Sequence, residues 1–427
     1  MTLPASESED KTILHYICSR CGHREDAATC KPRCDCGGLW KLDFKPPAFD
    51  PALIDRHEWS IFRYRAFLPL EDGEEAGGAD PHGAPAGETT SDAAAAHGVV
   101  AGGTAPGGAL PNRTARAGTT SHAIWRSVSL GEGLTPVIRL DEDVLLKMDY
   151  FMPTLSFKDR GAAVLIAHCK AIGIDSVIQD SSGNAGNSIA AYSARAGIRC
   201  EIFVPEGTSP AKIAMIRSHG AQVSIVPGSR DRCAEVCRAK VEQERMYYAS
   251  HVYNPFFYEG TKTYIYEVWE QLGRIPAHIF VPLGNGTLFL GVVKGLEELL
   301  AADIIARMPQ IIAVQSERCD PIARAYEDGA PMPARITPMP TLAEGIAIGA
   351  PARGEEILGY IYKYGVKVIT APEDRILEAR ALLAASGIYC EHTSAATYAA
   401  YLSYCDRHGR TRDSLIPMCG AGLKSEH

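Results

Sequence analysis

Nowhere in its 427 residues does this chain run to the roughly 18–20 uninterrupted apolar residues that a membrane-spanning helix needs, so no membrane span is expected. Positive charge is also scarce: 43 Lys and Arg stand against 51 Asp and Glu, for a net charge of −8. That balance lacks the basic footprint of a nucleic-acid binder, and no nucleic-acid partner is expected. The opening residues, MTLPASESEDK, lack the apolar core of a secretory signal and the arginines of a transit peptide. A cytoplasmic chain is expected. An odd total of 13 cysteines argues against a disulfide framework in such a chain. What remains, 46% hydrophobic and 22% charged residues, is the composition of a globular protein large enough for two domains.

The cysteines are not spread evenly, since five fall within residues 18–36. Cys18-x2-Cys21 and Cys34-x-Cys36-Gly-Gly read as two knuckles of a small ribbon over residues 1–45. Paired thiolates on tight turns supply the tetrahedral sulfur set that Zn²⁺ accepts, and Gly37 and Gly38 relieve the backbone around the second knuckle. Zinc on Cys18, Cys21, Cys34 and Cys36 is the expectation, with Cys30 as a spare ligand and a metal-free ribbon of the same shape as the alternative. Four protein thiolates leave no open position, so the module is not a catalytic site. Cys233-x3-Cys237 reads as one face of a helix. His219, His251 and His392 have no companion at ligand spacing and read as structural or surface residues.

A linker helix is expected over 46–70. Residues 71–121 are rich in Gly, Ala, Pro and Thr, have no aromatic residue and show no period of 2 or 3.6. Such a stretch cannot bury enough apolar surface to offset its ordering entropy, and a disordered low-complexity insertion is expected. From about 122 to 427, strand-like runs alternate with helical patterns. SVIQD (176–180), RCEIFVP (199–205), QVSIVPG (222–228), HIFVP (278–282), QIIAVQ (310–315) and KVIT (367–370) read as strands. Residues 188–197, 209–221 and 230–245 read as helices. This alternation predicts an α/β fold with mostly parallel sheets flanked by helices, in two subdomains, the smaller at about 160–270.

Three loops place small or polar residues where a strand gives way to a helix. In 181-SSGNAGNS-188, glycines let the backbone approach a ligand and the side chains offer hydrogen bonds. In 283-LGNGTLFLG-291, free N–H groups and a helix dipole suit a phosphate, but the spacing matches neither G-x-x-x-x-G-K-[ST] nor G-x-G-x-x-G. The third is 417-PMCGAGLK-424. Lys158, in 153-PTLSFKDRGA-162, reads alone as a surface charge, with Asp159 and Arg160 as a local structural pair. A lysine, a polar loop and a phosphate cradle together suggest pyridoxal 5'-phosphate held by its phosphate and through an imine.

With SLGEGLTPV (129–137), NPFFYEGTKT (254–263), VPLGNGT (281–287) and CGAGLK (419–424), these stretches resemble the successive motifs of threonine synthases, within the tryptophan-synthase β-like, fold-type II pyridoxal-phosphate enzymes. FRYRAFLPL (62–70) and the ribbon are similar to the start of the same family. The resemblance covers nearly all the chain outside 71–121. It implies that Lys158 forms the imine and acts as base, and that Asn184, with Ser182 nearby, bonds the phenolic oxygen of the pyridine ring. It further implies that Gly284, Asn285, Gly286, Thr287 and Leu288 hold the phosphate, that Cys419 faces the ring nitrogen, and that the enzyme is a homodimer acting on a small amino acid.

Cys419 stands where the family usually has Thr or Ser, the 283–288 loop departs from its usual G-N-A-G-N, and five further positions depart: Leu134 for Asn, Leu155 for Gly, Phe257 for the Arg that serves the phosphate of O-phosphohomoserine, Thr261 for Gln and Ala421 for His. Losing a charge-assisted contact removes roughly 1.5–3 kcal/mol of binding and puts an apolar wall in its place. Lys262, Lys424 and Arg160 are candidates to replace it. The expected activity is therefore a threonine-synthase-like elimination or replacement on an amino acid, with a serine/threonine ammonia-lyase or a cysteate-synthase-like replacement as alternatives. A non-catalytic cofactor-binding or ribbon interaction protein is the alternative of another class.

Overall fold

Residues 14–70 and 124–425 are described by the computed structural model, and the expected insertion at 71–121 lies outside them. In chain order the strands are β1 (His15–Cys18), β2 (Arg24–Asp26), β3 (Trp40–Asp43), β4 (Val137–Arg139), β5 (Val144–Lys147), β6 (Ser176–Gln179), β7 (Arg199–Pro205), β8 (Gln222–Val226) and β9 (Tyr247–Tyr248). Then come β10 (His278–Pro282), β11 (Gln310–Ser316), β12 (Lys367–Ala371) and β13 (Ser414–Pro417). They form a three-stranded antiparallel ribbon β2-β1-β3, a six-stranded sheet β12-β11-β10-β13-β5-β4 and a four-stranded sheet β8-β7-β6-β9. The smaller sheet is wholly parallel, and the larger is parallel except at its β4 edge. Helices cover these sheets, which is why β6, β10 and β13 are buried along nearly their whole length rather than at alternate residues. Among the described residues no helix is long and apolar enough to cross a membrane.

The linker expected as one helix over 46–70 is instead two 3₁₀ turns, Pro51–Leu53 and Ile61–Phe67. Pro46, Pro47 and Pro51 withdraw backbone donors there, and the side chains of Asp50 and Ser60 cap the two turns by accepting from Ala52 and Phe62.

The helix Lys158–Ala171 lies at the centre and is buried almost all round. Its sequence KDRGAAVLIAHCKA suits that place, with small residues in the first two turns and aliphatic ones after. Gly161 faces the ring of Phe257, where a Cβ would stand 2.3 Å from ring carbons. Gly260 in turn faces the Arg160 carbonyl, where a Cβ would stand 2.0 Å from its oxygen. Close helix contact therefore excludes any side chain at either position.

Asp159 and Arg160, expected to pair with each other, turn instead to different partners. The Asp159 carboxylate accepts from the Thr154 N–H (2.7 Å), from the Thr154 hydroxyl and from the Ser188 hydroxyl (2.5 Å) on the helix Asn184–Ala196. Arg160 holds Asp149 through Nε and Nη2 (both 2.8 Å) and Glu267 through Nη1 and Nη2 (both 2.7 Å). Lys147, on β5, adds a 2.8 Å ion pair to Glu267. All four of these charged side chains are fully buried. Burial pushes the Glu267 carboxyl up, but Arg160 and Lys147 overcome this and hold it down at about 2. Two cations and two carboxylates thus neutralise one another inside the core, which is what makes their burial tolerable.

Arg160→Leu would leave Asp149 and Glu267 buried with only Lys147 between them. The expected loss is about 3–5 kcal/mol of stability, read as a lowered urea midpoint, whereas a surface pair such as Arg199 with Asp175 should move it by less than about 1 kcal/mol.

Candidate active site

In parallel sheets, ligand sites form beyond the carboxyl ends of the strands, where the loops into the following helices gather. Here the loops after β6, β10 and β13 line one cavity of about 190 Å³. Every residue singled out from the sequence for cofactor or catalysis lies on its wall: Lys158, Ser182, Asn184, Gly284, Asn285, Gly286, Thr287, Leu288 and Cys419. Five helices also begin there. Lys158, Asn184, Arg230, Thr287 and His392 are the first residues of the helices Lys158–Ala171, Asn184–Ala196, Arg230–Glu244, Thr287–Ala301 and His392–His408, and all five line the cavity. Each helix start carries roughly half a positive charge from its aligned peptides. The convergence makes the cavity electropositive before any side chain is counted.

The phosphate-cradle geometry is supplied by the turn after β10. Gly286 adopts φ +81°, a left-handed conformation that glycine takes without strain, and so swings the chain into the helix Thr287–Ala301. Leu290 is the first N–H in that helix bonded back to a carbonyl of the turn, Gly286 O at 2.8 Å, so the N–H groups before it have no partner within the helix. At Gly183 a Cβ would meet nothing within 4 Å, so the backbone itself faces open space. A phosphorylated ring cofactor fits such walls: backbone donors for its phosphate, an amine for its aldehyde, and room beside the glycine.

Lys158 is half-buried, with its ammonium 3.7 Å from the Phe157 ring centre. Burial lowers its pKa to about 8, against the opposing pull of Cys419 and Glu391. Phe157 is tied by its N–H to the Cys419 carbonyl (2.9 Å), and the Cys419 N–H donates to the Ser394 hydroxyl (2.8 Å). The Cys419 thiol is pushed well above its ordinary range by burial and by Glu391, so it stays a neutral thiol.

Sequence reasoning missed several wall residues. Glu391 precedes the helix His392–His408 and accepts from Asn184 Nδ2 at 2.9 Å, joining the two halves across the cavity. Gly420 makes room for it, since a Cβ there would stand 2.2 Å from its carboxylate. His251, read as structural or surface, is buried and lines the cavity. Burial and the cations Lys158 and Arg230 hold it far below the usual imidazole range, so it is neutral. Gln179 Nε2 lies 3.3 Å from its Nδ1. His392 also lines the cavity. Neither histidine has a sequence pattern around it that could have marked it. Glu391 had a weak signal as an acid in an otherwise small and apolar run, GIYCEHTSAA.

The five further departures from the family pattern fall elsewhere. Leu134, Leu155, Phe257, Thr261 and Ala421 are all absent from the cavity wall. Phe257 is not the apolar wall expected at that place. Its ring is fully buried against Gly161, with the His251 ring 6.0 Å away. Leu134 and Leu155 have φ values of +46° and +60°, a conformation costing a non-glycine residue roughly 1–2 kcal/mol. Of the candidate phosphate ligands, Lys262 is buried between Glu259 and Glu298, and Arg160 is consumed by the core network. Lys424 alone reaches the cavity, donating to the Thr154 carbonyl at 2.6 Å, and Lys212 and Arg230 join it there. Cys18, Cys21, Cys34 and Cys36 come together in the ribbon, off the cavity wall.

A family model described as "Pyridoxal-phosphate dependent enzyme" matches residues 128–420. Among similar curated proteins, the threonine synthase of Methanocaldococcus jannaschii is 28% identical over 95% of this chain and 92% of its own length. That of Mycobacterium leprae is 33% identical over 70% of this chain and 84% of its own. Among solved structures, a threonine deaminase from the source abbreviated T.th. is 26% identical with a TM-score of 0.58, covering 70% of this chain and 96% of its own. O-ureido-L-serine synthase, at 22% identity and a TM-score of 0.57, covers 70% and 92% and shares the fold.

Only a neutral amine attacks an aldehyde, so coupling of pyridoxal 5'-phosphate to cofactor-free protein should quicken as pH rises through about 8 and level off above it. Borohydride reduction and peptide mass analysis should locate the adduct on Lys158, and Lys158→Ala should form none. Leu155→Gly, altering a side chain outside the cavity, should leave KM unchanged.

Proposed function

The chain belongs to the pyridoxal-phosphate dependent enzyme family, and within it we propose a threonine-synthase-like enzyme that eliminates or replaces an anionic group on the side chain of a small amino acid. The observation that carries this reading is the charge of the cavity. Lys212 pairs with Glu344 at 2.8 Å, Arg230 and Lys424 stand against Glu391, and five helix starts add to the positive side. A surplus of this sign concentrates anions and favours a substrate with more negative charge than its α-carboxylate alone. Relatives named threonine synthase at 28–33% identity support the same class.

The bound cofactor would supply an electron sink for charge developing at the substrate's α-carbon. The protein's own groups would do the rest. The N–H groups around Gly286, Thr287 and Leu288 would hold the cofactor phosphate. Asn184, with Ser182 beside it, would donate to the ring oxygen, its orientation set by Glu391. Lys158 Nζ would take the proton from the α-carbon and return it, a task suited to an amine near pKa 8 in a site working near neutrality. Cys419, a buried neutral thiol, would offer a ring nitrogen no charge, which favours elimination and replacement over transamination. His251, a neutral imidazole on the wall, would meet the substrate side chain. Arg230, at a helix start, would meet the leaving anion.

The absence of an arginine at Phe257 favours a second reading, an ammonia-lyase acting on an uncharged hydroxy amino acid. One assay separates them: phosphate release from O-phosphohomoserine against ammonia and keto-acid release from serine and threonine. Faster phosphate release is the expected result; ammonia release alone would overturn the anionic-substrate reading. Arg230→Met should raise KM for the phosphorylated substrate by about tenfold or more while the cofactor absorbance stays, as loss of a contact of roughly 1.5–3 kcal/mol requires.

A further inference from the structure

The ribbon plays no part in the reaction just described, yet its sulfur atoms are arranged for a ligand. Cys18 Sγ lies 3.4 Å from Cys36 Sγ, and Cys21 Sγ lies 3.4 Å from Cys36 Sγ and 3.7 Å from Cys34 Sγ. All four lie within 4.8 Å of one another, and all are free thiols. Around an ion with Zn–S bonds of about 2.3 Å, a tetrahedron has edges of about 3.8 Å, close to the separations observed.

The backbone is shaped to match. The N–H groups of Arg20 and Cys21 approach Cys18 Sγ at 3.4 and 3.5 Å, a setting that stabilises a thiolate. Gly22 and Gly37, at φ +71° and +82°, close the two turns by donating to the carbonyls of Cys18 (3.1 Å) and Cys34 (2.8 Å). Gly38 leaves no space for a side chain, since its Cβ would stand 2.4 Å from Cys18 Sγ. Cys30 is outside the cluster.

We propose that Cys18, Cys21, Cys34 and Cys36 bind one structural Zn²⁺, and that this ion fixes the cavity wall bearing His251. An all-sulfur tetrahedral set selects a soft or borderline ion over Mg²⁺ or Ca²⁺. The ribbon's strands are three or four residues long and cannot build a core of their own, so bound metal is folding energy for them. Their links to the body lead to the cavity. The Trp40 carbonyl, at the start of β3, accepts from Arg353 Nη2 at 3.0 Å. The same buried guanidinium donates to the carbonyls of Val252 (2.8 Å) and Tyr253 (2.9 Å), the two residues after His251. Tyr16 on β1 meets the Tyr247 hydroxyl at 3.4 Å, and the Ala27 carbonyl meets His168 Nε2 at 3.3 Å. Loosening the ribbon therefore releases the 247–253 segment from one side. The metal site itself is independent of which amino acid the enzyme takes.

The test is elemental analysis of the full-length protein after dialysis against EDTA, with metal release by a mercurial reagent and hydrogen exchange before and after. Expected are one zinc per chain, its retention in Cys30→Ser, its loss in Cys18→Ser and Cys36→Ser, and exchange over residues 247–255 quickened about tenfold or more on release while β11 is unchanged. Should the cysteine variants fail to fold, the zinc content of the unaltered chain and the visible spectrum of tetrahedral Co²⁺–thiolate after Co²⁺ substitution still decide the site. Protein that carries no zinc and binds none from solution, or that carries iron instead, overturns the site. Zinc release without faster exchange at 247–255 overturns the coupling.

Discussion

The first turn of the helix Lys158–Ala171 has no freedom, and most of the molecule's arrangement follows from that. Asp159 is bound to Thr154 and to Ser188, Arg160 is bound to Asp149 and Glu267, and Gly161 is pressed against the Phe257 ring. These partners come from both halves, the helix Asn184–Ala196 on one side and the turn Asp149–Phe151 with the helix Thr263–Leu272 on the other. A lysine preceding three such anchors keeps its amine in the cavity without any hydrogen bond of its own holding it there. The anchors are buried charges, which break at high cost and offer few alternative pairings, so they favour a single placement.

The same constraint explains why the cavity departs so little from its expected composition. Strand ends and helix starts gather there because the sheets are parallel, and what each loop contributes is mainly backbone. Leu134, Leu155, Phe257, Thr261 and Ala421 differ from the threonine-synthase pattern off the wall, whereas Cys419 and the 283–288 loop differ from it on the wall.

Legibility followed from this division. The 181–188 and 283–288 loops could be read from sequence because the geometry permits few residue types there, glycine at φ +81° and small residues at a helix start, whereas Lys158 reads alone as a surface charge and was placed only by the motifs around it. The six strands β6, β7, β8, β10, β11 and β12 were equally plain, whereas the short β4–β5 pair and β9 are too brief to show a period and the helices of the C-terminal third, such as Gly354–Tyr364 and His392–His408, were not read. His251 and Glu391 were not legible, because a lone histidine or glutamate has the same sequence surroundings on a cavity wall as on a surface. Phe257 misled for a physical reason. Sequence position identified its motif, but only packing reveals that its ring points at Gly161 and not into the cavity. The linker at 46–70 misled through its apolar residues, since its prolines and caps mark two separate turns.

The five converging helix starts have one more consequence. Peptide dipoles carry no proton to lose, so this share of the cavity's attraction for anions persists across any pH at which the fold survives. Lysine and histidine side chains around it can titrate, and mutation can remove them one at a time. The backbone field stays, and so the site can exchange its side chains for other specificities without first rebuilding its hold on a phosphate.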